Sequence, residues 1–180
     1  MSYSKIAKRY AKALFDFSKE QNALETTKKD MDYIHELCDV SKDFVAALTS
    51  PLLKIEKKKE IIAAILKDNV GETSMKMLVL ISDSRRESII PSMSDEFIKM
   101  YNESIGLMKV DLFSAVELSD ELRNKISDKL ADQTKKKIEL KQHIQEDLIG
   151  GFVLKMDDML YDASLKARLS GIKEVLTQRM

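Results

Sequence analysis

The sequence predicts a mainly α protein, with an N-terminal six-helix bundle over residues 1–106 and a small α+β domain over 107–180. Three observations predict it. Only 5 Gly and 2 Pro occur in 180 residues, so breakers are few and long helices are favoured. As far as Gly106, apolar residues recur at the spacing of a buried helix face. From Met108 the period drops to two, the signature of a half-buried strand. With 44% hydrophobic and 33% charged residues, the composition is that of a folded chain able to bury a sizeable core.

The first helix is expected over 4–21. Ala7, Ala11, Leu14 and Ser18 form its stripe, with Tyr10, Phe15 and Phe17 beside it. A second helix, 23–41, places Leu24, Met31, Ile34 and Cys38 on one face. Asp43 is expected to cap a short third helix carrying Phe44 and Leu48, stopped near Ser50 by Pro51. The fourth, 54–69, buries Ile61, Ile62, Ile65 and Leu66, and Gly71 suits its C-terminal end. The fifth, 73–84, carries Met77, Leu78, Leu80 and Ile81. The sixth runs from Ser88 to Ser104 with Pro91 in its first turn and Phe97 and Tyr101 one turn apart, and Gly106 closes it.

Alternation over 108–118 predicts a strand. Ser119 is placed to cap a helix whose stripe is Leu122, Ile126 and Leu130. Ile138, Leu140 and Ile144 alternate as a second strand. Residues 149–163 read as a hairpin around Asp157-Asp158. Ser164 is placed to cap a final helix bearing Leu165, Leu169, Ile172 and Leu176.

Charge excludes some functions. Lys and Arg total 30, as do Asp and Glu. The balance also holds locally: 17 of each sign in 1–106 and 13 of each in 107–180. Phosphate neutralisation drives nucleic-acid binding and anionic membranes attract basic segments, so neither partner fits a balanced chain. Cys38, the single cysteine, permits no intrachain disulfide. No apolar run reaches the roughly 20 residues that span a bilayer.

Constellations for chemistry are nearly absent. His35 and Cys38 lie one helical turn apart, but two ligands do not make a structural zinc site. Glu36 and Asp39 beside Cys38 disfavour a thiolate nucleophile. Asp157, Asp158 and Asp162 read as turn residues. Gly150-Gly151 lacks the spacing of a phosphate loop and reads as a bulge rather than a place where another backbone approaches. Lys57–Lys59 and Lys135–Lys137 read as solvated helix surface, and the methionines, Met75 and Met77 included, as core. No catalytic residue, cofactor or metal ligand is assigned, and the chain is not expected to be an enzyme.

Four stretches nevertheless recur in order: RYAKALFDFSKE at 9–20, Phe44 through SPLL at 50–53, RRESIIPSMSDEFIKMYNE at 85–103, and DLIGGFVLKMDDMLYDASLKARLSGIKEVL at 147–176. Together they resemble the delta subunit of the F-type ATP synthase, the family of the mitochondrial oligomycin-sensitivity-conferring protein. The chain departs at the hairpin turn, where the family often has Gly-Asp and this chain has Asp157-Asp158.

The resemblance implies a non-catalytic stator subunit of the bacterial type, peripheral on the cytoplasmic face of the inner membrane and touching the membrane only through its complex. It implies that residues 1–106 dock on the catalytic head by gripping the N-terminal helix of an alpha subunit. It implies that residues 107–180 contact the b-subunit coiled coil of the peripheral stalk. By the same resemblance, the helix-binding groove lies between the first and fifth helices and uses Tyr10, Ala13, Leu14, Met77, Leu80 and Ile81. The first helix has alanines at 7, 11 and 13 on more than one side, so it can receive helices on two faces. The alternative reading is a small RNA-binding module with a ferredoxin-like or KH-like C-terminal domain.

Overall fold

The computed structural model describes residues 2–145, 147–156, 159–167 and 169. The chain is mainly helical with a four-stranded C-terminal sheet, and it divides into two compact units that part between Asn102 and Glu103.

In the first unit, α1 spans Ser2–Glu20, α2 Leu24–Val40, α3 Lys42–Thr49, α4 Ile55–Leu66 and α5 Glu72–Asp83. A 3-10 turn at Glu87–Ile89 leads into α6, Ile90–Ser104. Ala7, Ala11 and Leu14 of α1 are fully buried, as are Met31, Ile34, Leu66, Leu78, Ile81 and Phe97. The small alanines let neighbouring helices approach α1, while Phe15 packs edge-on against Phe97, ring centroids 6.0 Å apart.

Two helix ends use the same device. After α1, Asn22 is left-handed (φ 52°), and Ala23 N–H bonds Ser18 O while Asn22 N–H bonds Lys19 O. After α5, Arg85 is left-handed (φ 57°), with Arg86 N–H on Ile81 O and Arg85 N–H on Ser82 O. Asn tolerates this conformation nearly as Gly does, whereas Arg85 carries no such signal in the sequence.

Three local expectations are corrected. Ser41, not Asp43, caps α3: its Oγ accepts the Phe44 N–H at 3.2 Å, and Asp43 lies inside the first turn. Gly71 does not close α4. It is the N-cap residue of α5, and its side-chain role is taken by Asp30 of α2, whose Oδ2 accepts Gly71 N–H (3.0 Å) and Ser74 Oγ–H (2.6 Å). A Cβ at Gly71 would stand 3.1 Å from that oxygen. The lysine run at 57–59 is not uniformly solvated either. Lys58 is buried, donates to Leu48 O at 2.8 Å and lies 3.6 Å from the buried carboxylate of Glu87.

In the second unit, β1 (Leu107–Ser114), α7 (Asp120–Thr134), β2 (Lys137–Ile144), β3 (Phe152–Met156) and β4 (Met159–Asp162) build a sheet of order β2-β1-β3-β4. β1 and β2 are parallel, joined by the α7 crossover; β3 runs antiparallel to β1 and β4 to β3. Val110, Leu112 and Leu154 from the sheet meet Leu130 and Ile126 of α7 in a second core. β1 is shorter than the alternation predicts. It ends at Ser114, whose Oγ–H donates to Val116 O, and Gln142 Nε2 donates to both groups. Leu118 reaches the core beyond that bend, and Val116 is exposed. Ser119 occupies the N-cap of α7 without a side-chain bond there.

Met156 pairs with Met159, so β3 and β4 flank a two-residue connection. That connection, Asp157-Asp158, lies outside the described residues, as do Ile172 and Leu176 of the expected last helix. Ser164 does cap a helical turn, its Oγ accepting Ala167 N–H at 3.1 Å. Gly151 is not a bulge filler. Its φ is 80°, and a Cβ would run into Ala163 O and come within 2.9 Å of Ser164 Cα. The close backbone approach that the sequence reading set second is the real reason for glycine here.

Lys58→Ala is expected to lower the unfolding free energy by about 3–5 kcal/mol, because it strands a buried carboxylate; Lys58→Met with Glu87→Leu should recover most of that loss in a denaturant melt. Gly151→Ala is expected to destabilise the second unit by about 2–4 kcal/mol, read as earlier loss of amide-exchange protection in β1 and β3.

Candidate functional site

Among the described residues, those weighed for chemistry are engaged in local contacts. His35 bridges α2 to α6, with Nδ1 2.9 Å from Asp95 Oδ1 and Nε2 3.5 Å from Asp39 Oδ2. Burial, with Asp39 and Asp95 adding to it, pushes the Cys38 thiol up to about 11, the opposite of what a nucleophile needs. Among the described residues no group of three or more His, Cys, Asp or Glu is arranged to hold a metal ion. Asp162 accepts Ser164 N–H at 2.8 Å, and hydrogen bonding to Ser164 holds its carboxyl below the usual range. His143 Nε2 lies 2.7 Å from Asp111 Oδ1, with Phe113 stacked on the imidazole at 5.0 Å.

The first unit instead presents a cleft of about 280 Å³. α1 contributes Ile6, Arg9, Tyr10 and Ala13 to it, and α5 contributes Met77 and Leu80. Arg86 stands at the edge, its Nη1–H donating to Tyr10 Oη at 3.5 Å. Of the six residues singled out from the sequence, Tyr10, Ala13, Met77 and Leu80 line the cleft. Leu14 and Ile81 do not. Both are fully buried and belong to the core beneath.

The helix geometry accounts for this split. The core stripe of α1 is Ala7, Ala11, Leu14 and Ser18, all fully buried. One residue earlier at each step stands Ile6, Tyr10, Ala13 and Phe17, rotated about 100° around the helix. These remain accessible; Phe17 is 44% exposed. α5 repeats the pattern. Ser74, Leu78 and Ile81 are buried, while Thr73, Met77 and Leu80 form the stripe one residue earlier, with Leu80 53% exposed. Each helix thus carries two parallel stripes, spaced 4-3-4 on α1 and 4-3 on α5, one turned to its own core and one that supplies the apolar lining of the cleft. That spacing is the seam spacing of helices packed side by side.

Sequence reasoning missed Ile6, Arg9 and Arg86. Ile6 is one turn before Tyr10 and was legible from the second stripe. The arginines carry no periodic signal, and Arg86 is placed by the left-handed turn at Arg85. A further cleft, about 440 Å³, lies on the other flank of α5 and is lined by Val70, Met75 and Val79 with Lys67, Glu72 and Lys76 at its rim. In the second unit, Ile144, Ile149, Met159, Leu160 and Tyr161 are exposed apolar side chains. No described helix is long and apolar enough to cross a membrane.

Comparison with known proteins gives a consistent answer. The family model described as ATP synthase delta (OSCP) subunit matches residues 6–176. The ATP synthase subunit delta of Pelodictyon phaeoclathratiforme is 36% identical over 98% of this chain and 99% of that relative. The same subunit of Chlorobium chlorochromatii is 35% identical over 98% of each. A chain in the Toxoplasma gondii mitochondrial ATP synthase hexamer shares the fold, with a TM-score of 0.76 at 18% identity, covering 95% of this chain and 97% of that one. The match runs through both units, and the chain belongs to the ATP synthase delta (OSCP) subunit family.

Proposed function

We propose that this chain is a stator subunit of an F-type ATP synthase, a non-catalytic link between the alpha/beta catalytic head and the b-subunit peripheral stalk. The observation that carries the reading is the family match over residues 6–176, supported by delta-subunit relatives that align along nearly their whole length. The work asked of such a part is mechanical. It must hold the head still against rotor torque, which demands tight contacts and stiffness and no bond making.

In this reading residues 1–106 form a six-helix bundle that docks on the head. The N-terminal helix of an alpha subunit lies in the cleft between α1 and α5, against Tyr10, Ala13, Met77 and Leu80. Two accessible stripes at seam spacing, facing one cleft, suit an amphipathic helix better than an extended peptide. Residues 107–180 engage the b-subunit coiled coil, and the exposed apolar side chains of that unit offer area for it. The chain then sits at the cytoplasmic face of a bacterial inner membrane, held there through its partners.

The RNA-binding alternative finds no support. The sheet face opposite the core carries Lys109, Asp111, Glu139, Lys141 and Lys155, charges of both signs rather than a stacking platform. Phe113 on that face is already stacked on His143. Gly150-Gly151 is crowded by the Leu165 side chain and the 163–164 backbone, leaving no open loop for a nucleic-acid backbone.

Ala13→Trp fills the cleft from an exposed position. It is expected to weaken binding of an alpha-subunit N-terminal peptide at least tenfold, with a thermal melt shifted by only about 0.5 kcal/mol. A folded variant that binds as tightly as the parent would refute the groove. In pull-downs from detergent-solubilised membranes, residues 1–104 should retain alpha and lose b, while residues 103–180 should do the reverse.

A further inference from the structure

The cleft between α1 and α5 is apolar along its walls, and the charged side chains that line it are both arginines, Arg9 and Arg86. Among the described residues neither guanidinium is in an ion pair. The printed partner of Arg86 is the neutral Tyr10 hydroxyl at 3.5 Å. On the same side of α1 as Arg9, the next acid is Asp16, seven residues and about 10 Å further along the axis.

The reason for this uncompensated charge lies in the segment around Arg86. It holds two acids, Asp83 and Glu87, and both are committed elsewhere. Lys59 pairs with Asp83, and the buried Lys58 lies 3.6 Å from Glu87. Consecutive lysines of α4 therefore take up the local carboxylates. Arg85 and Arg86 are left exposed between them, and the Schellman turn at Arg85 sets Arg86 at the cleft.

An apolar trough edged by two guanidinium groups outside any ion pair has a definite complement. A helix lying in it would meet the walls with its apolar seam and the arginines with its flanking positions. A basic residue there would face like charge, and a neutral one would leave partly desolvated guanidinium groups without an acceptor. A carboxylate would accept two parallel N–H bonds from the planar fork, which lysine cannot offer. Flanking charges of this kind select partner and register in paired helices. Resting on the helix-docking reading above, we propose that the groove selects an amphipathic helix whose apolar seam is flanked by carboxylates, with Arg9 and Arg86 as the residues that read them.

The test uses the full chain and two peptides: the N-terminal helix of the alpha subunit, and the same peptide with every Glu→Gln and Asp→Asn. Affinities are compared at low salt and at roughly 0.3 M salt. The native peptide is expected to bind about tenfold more tightly at low salt, with the preference shrinking at high salt. Arg9→Gln with Arg86→Gln should bring the two peptides within about twofold of each other, chiefly by weakening the native peptide. That last comparison separates recognition by the arginines from any effect of the acids on peptide helicity. Equal binding of both peptides to the parent chain, or a preference that survives the double substitution, would overturn the proposal and leave the groove reading standing. If neither peptide binds, the docking reading fails and this inference with it. Self-association of the chain that is blocked by Ala13→Trp would assign the groove to a second copy instead.

Discussion

Lys58 and Glu87 are the buried charged residues among the described residues of the first unit, and they tie together three of its segments. Lys58 belongs to α4, its ammonium bonds the carbonyl of Leu48 near the end of α3, and Glu87 opens the 3-10 turn into α6. Three pieces of chain are tied at one point. Glu87 Oε1 has no hydrogen-bond partner, so the pair is incompletely satisfied. A buried pair of this kind adds little net stability over well-packed apolar side chains, but removing either partner is costly. Its effect is to fix the path of the chain from α5 to α6.

That path also sets the cleft. Lys59, the next residue, pairs with Asp83 at the end of α5, so two adjacent lysines hold the two ends of the 83–87 segment. Between them the left-handed turn at Arg85 reverses the chain and delivers Arg86 to Tyr10. The interior pair and the surface groove thus share one short segment. A second tie acts at the other end of α5, where Asp30 of α2 caps Gly71 and Ser74. Both ends of α5 are thus tied to neighbouring elements.

The second unit solves a different problem. Among the described residues one helix, α7, packs on the sheet, against the face that carries Val110, Leu112 and Leu154. Charges of both signs line the other face. Its two edges differ: β2 presents Lys137, Glu139 and Lys141 among its exposed residues, whereas β4 exposes Met159, Leu160 and Tyr161. Charged edges resist unwanted strand pairing, and apolar ones invite contact. Gly151 keeps the entry to β3 compact by letting the backbone at Ala163 and Ser164 close over it.

The sequence by itself determined the elements and their faces. The stripes at Ala7, Ala11 and Leu14, at Met31 and Ile34, and at Val110 and Leu112 could be read because periodicity records which side of an element is buried. The change of period at Met108 marked the passage from helices to sheet for the same reason. The ordered motifs carried the family, and that resemblance also named Tyr10, Ala13, Met77 and Leu80, which line the cleft between α1 and α5. What periodicity cannot say is which of two adjacent stripes meets the core. Leu14 and Ile81 therefore read as groove residues until the packing of α1 and α5 placed them beneath it. The tertiary structure alone decided that Lys58 goes inside, that Asp30 caps a helix whose N-cap residue lies 41 residues later, and that Arg86 reaches Tyr10 across 76 residues. Each depends on groups distant in sequence meeting in space, and a local pattern of residues holds no record of its distant partner.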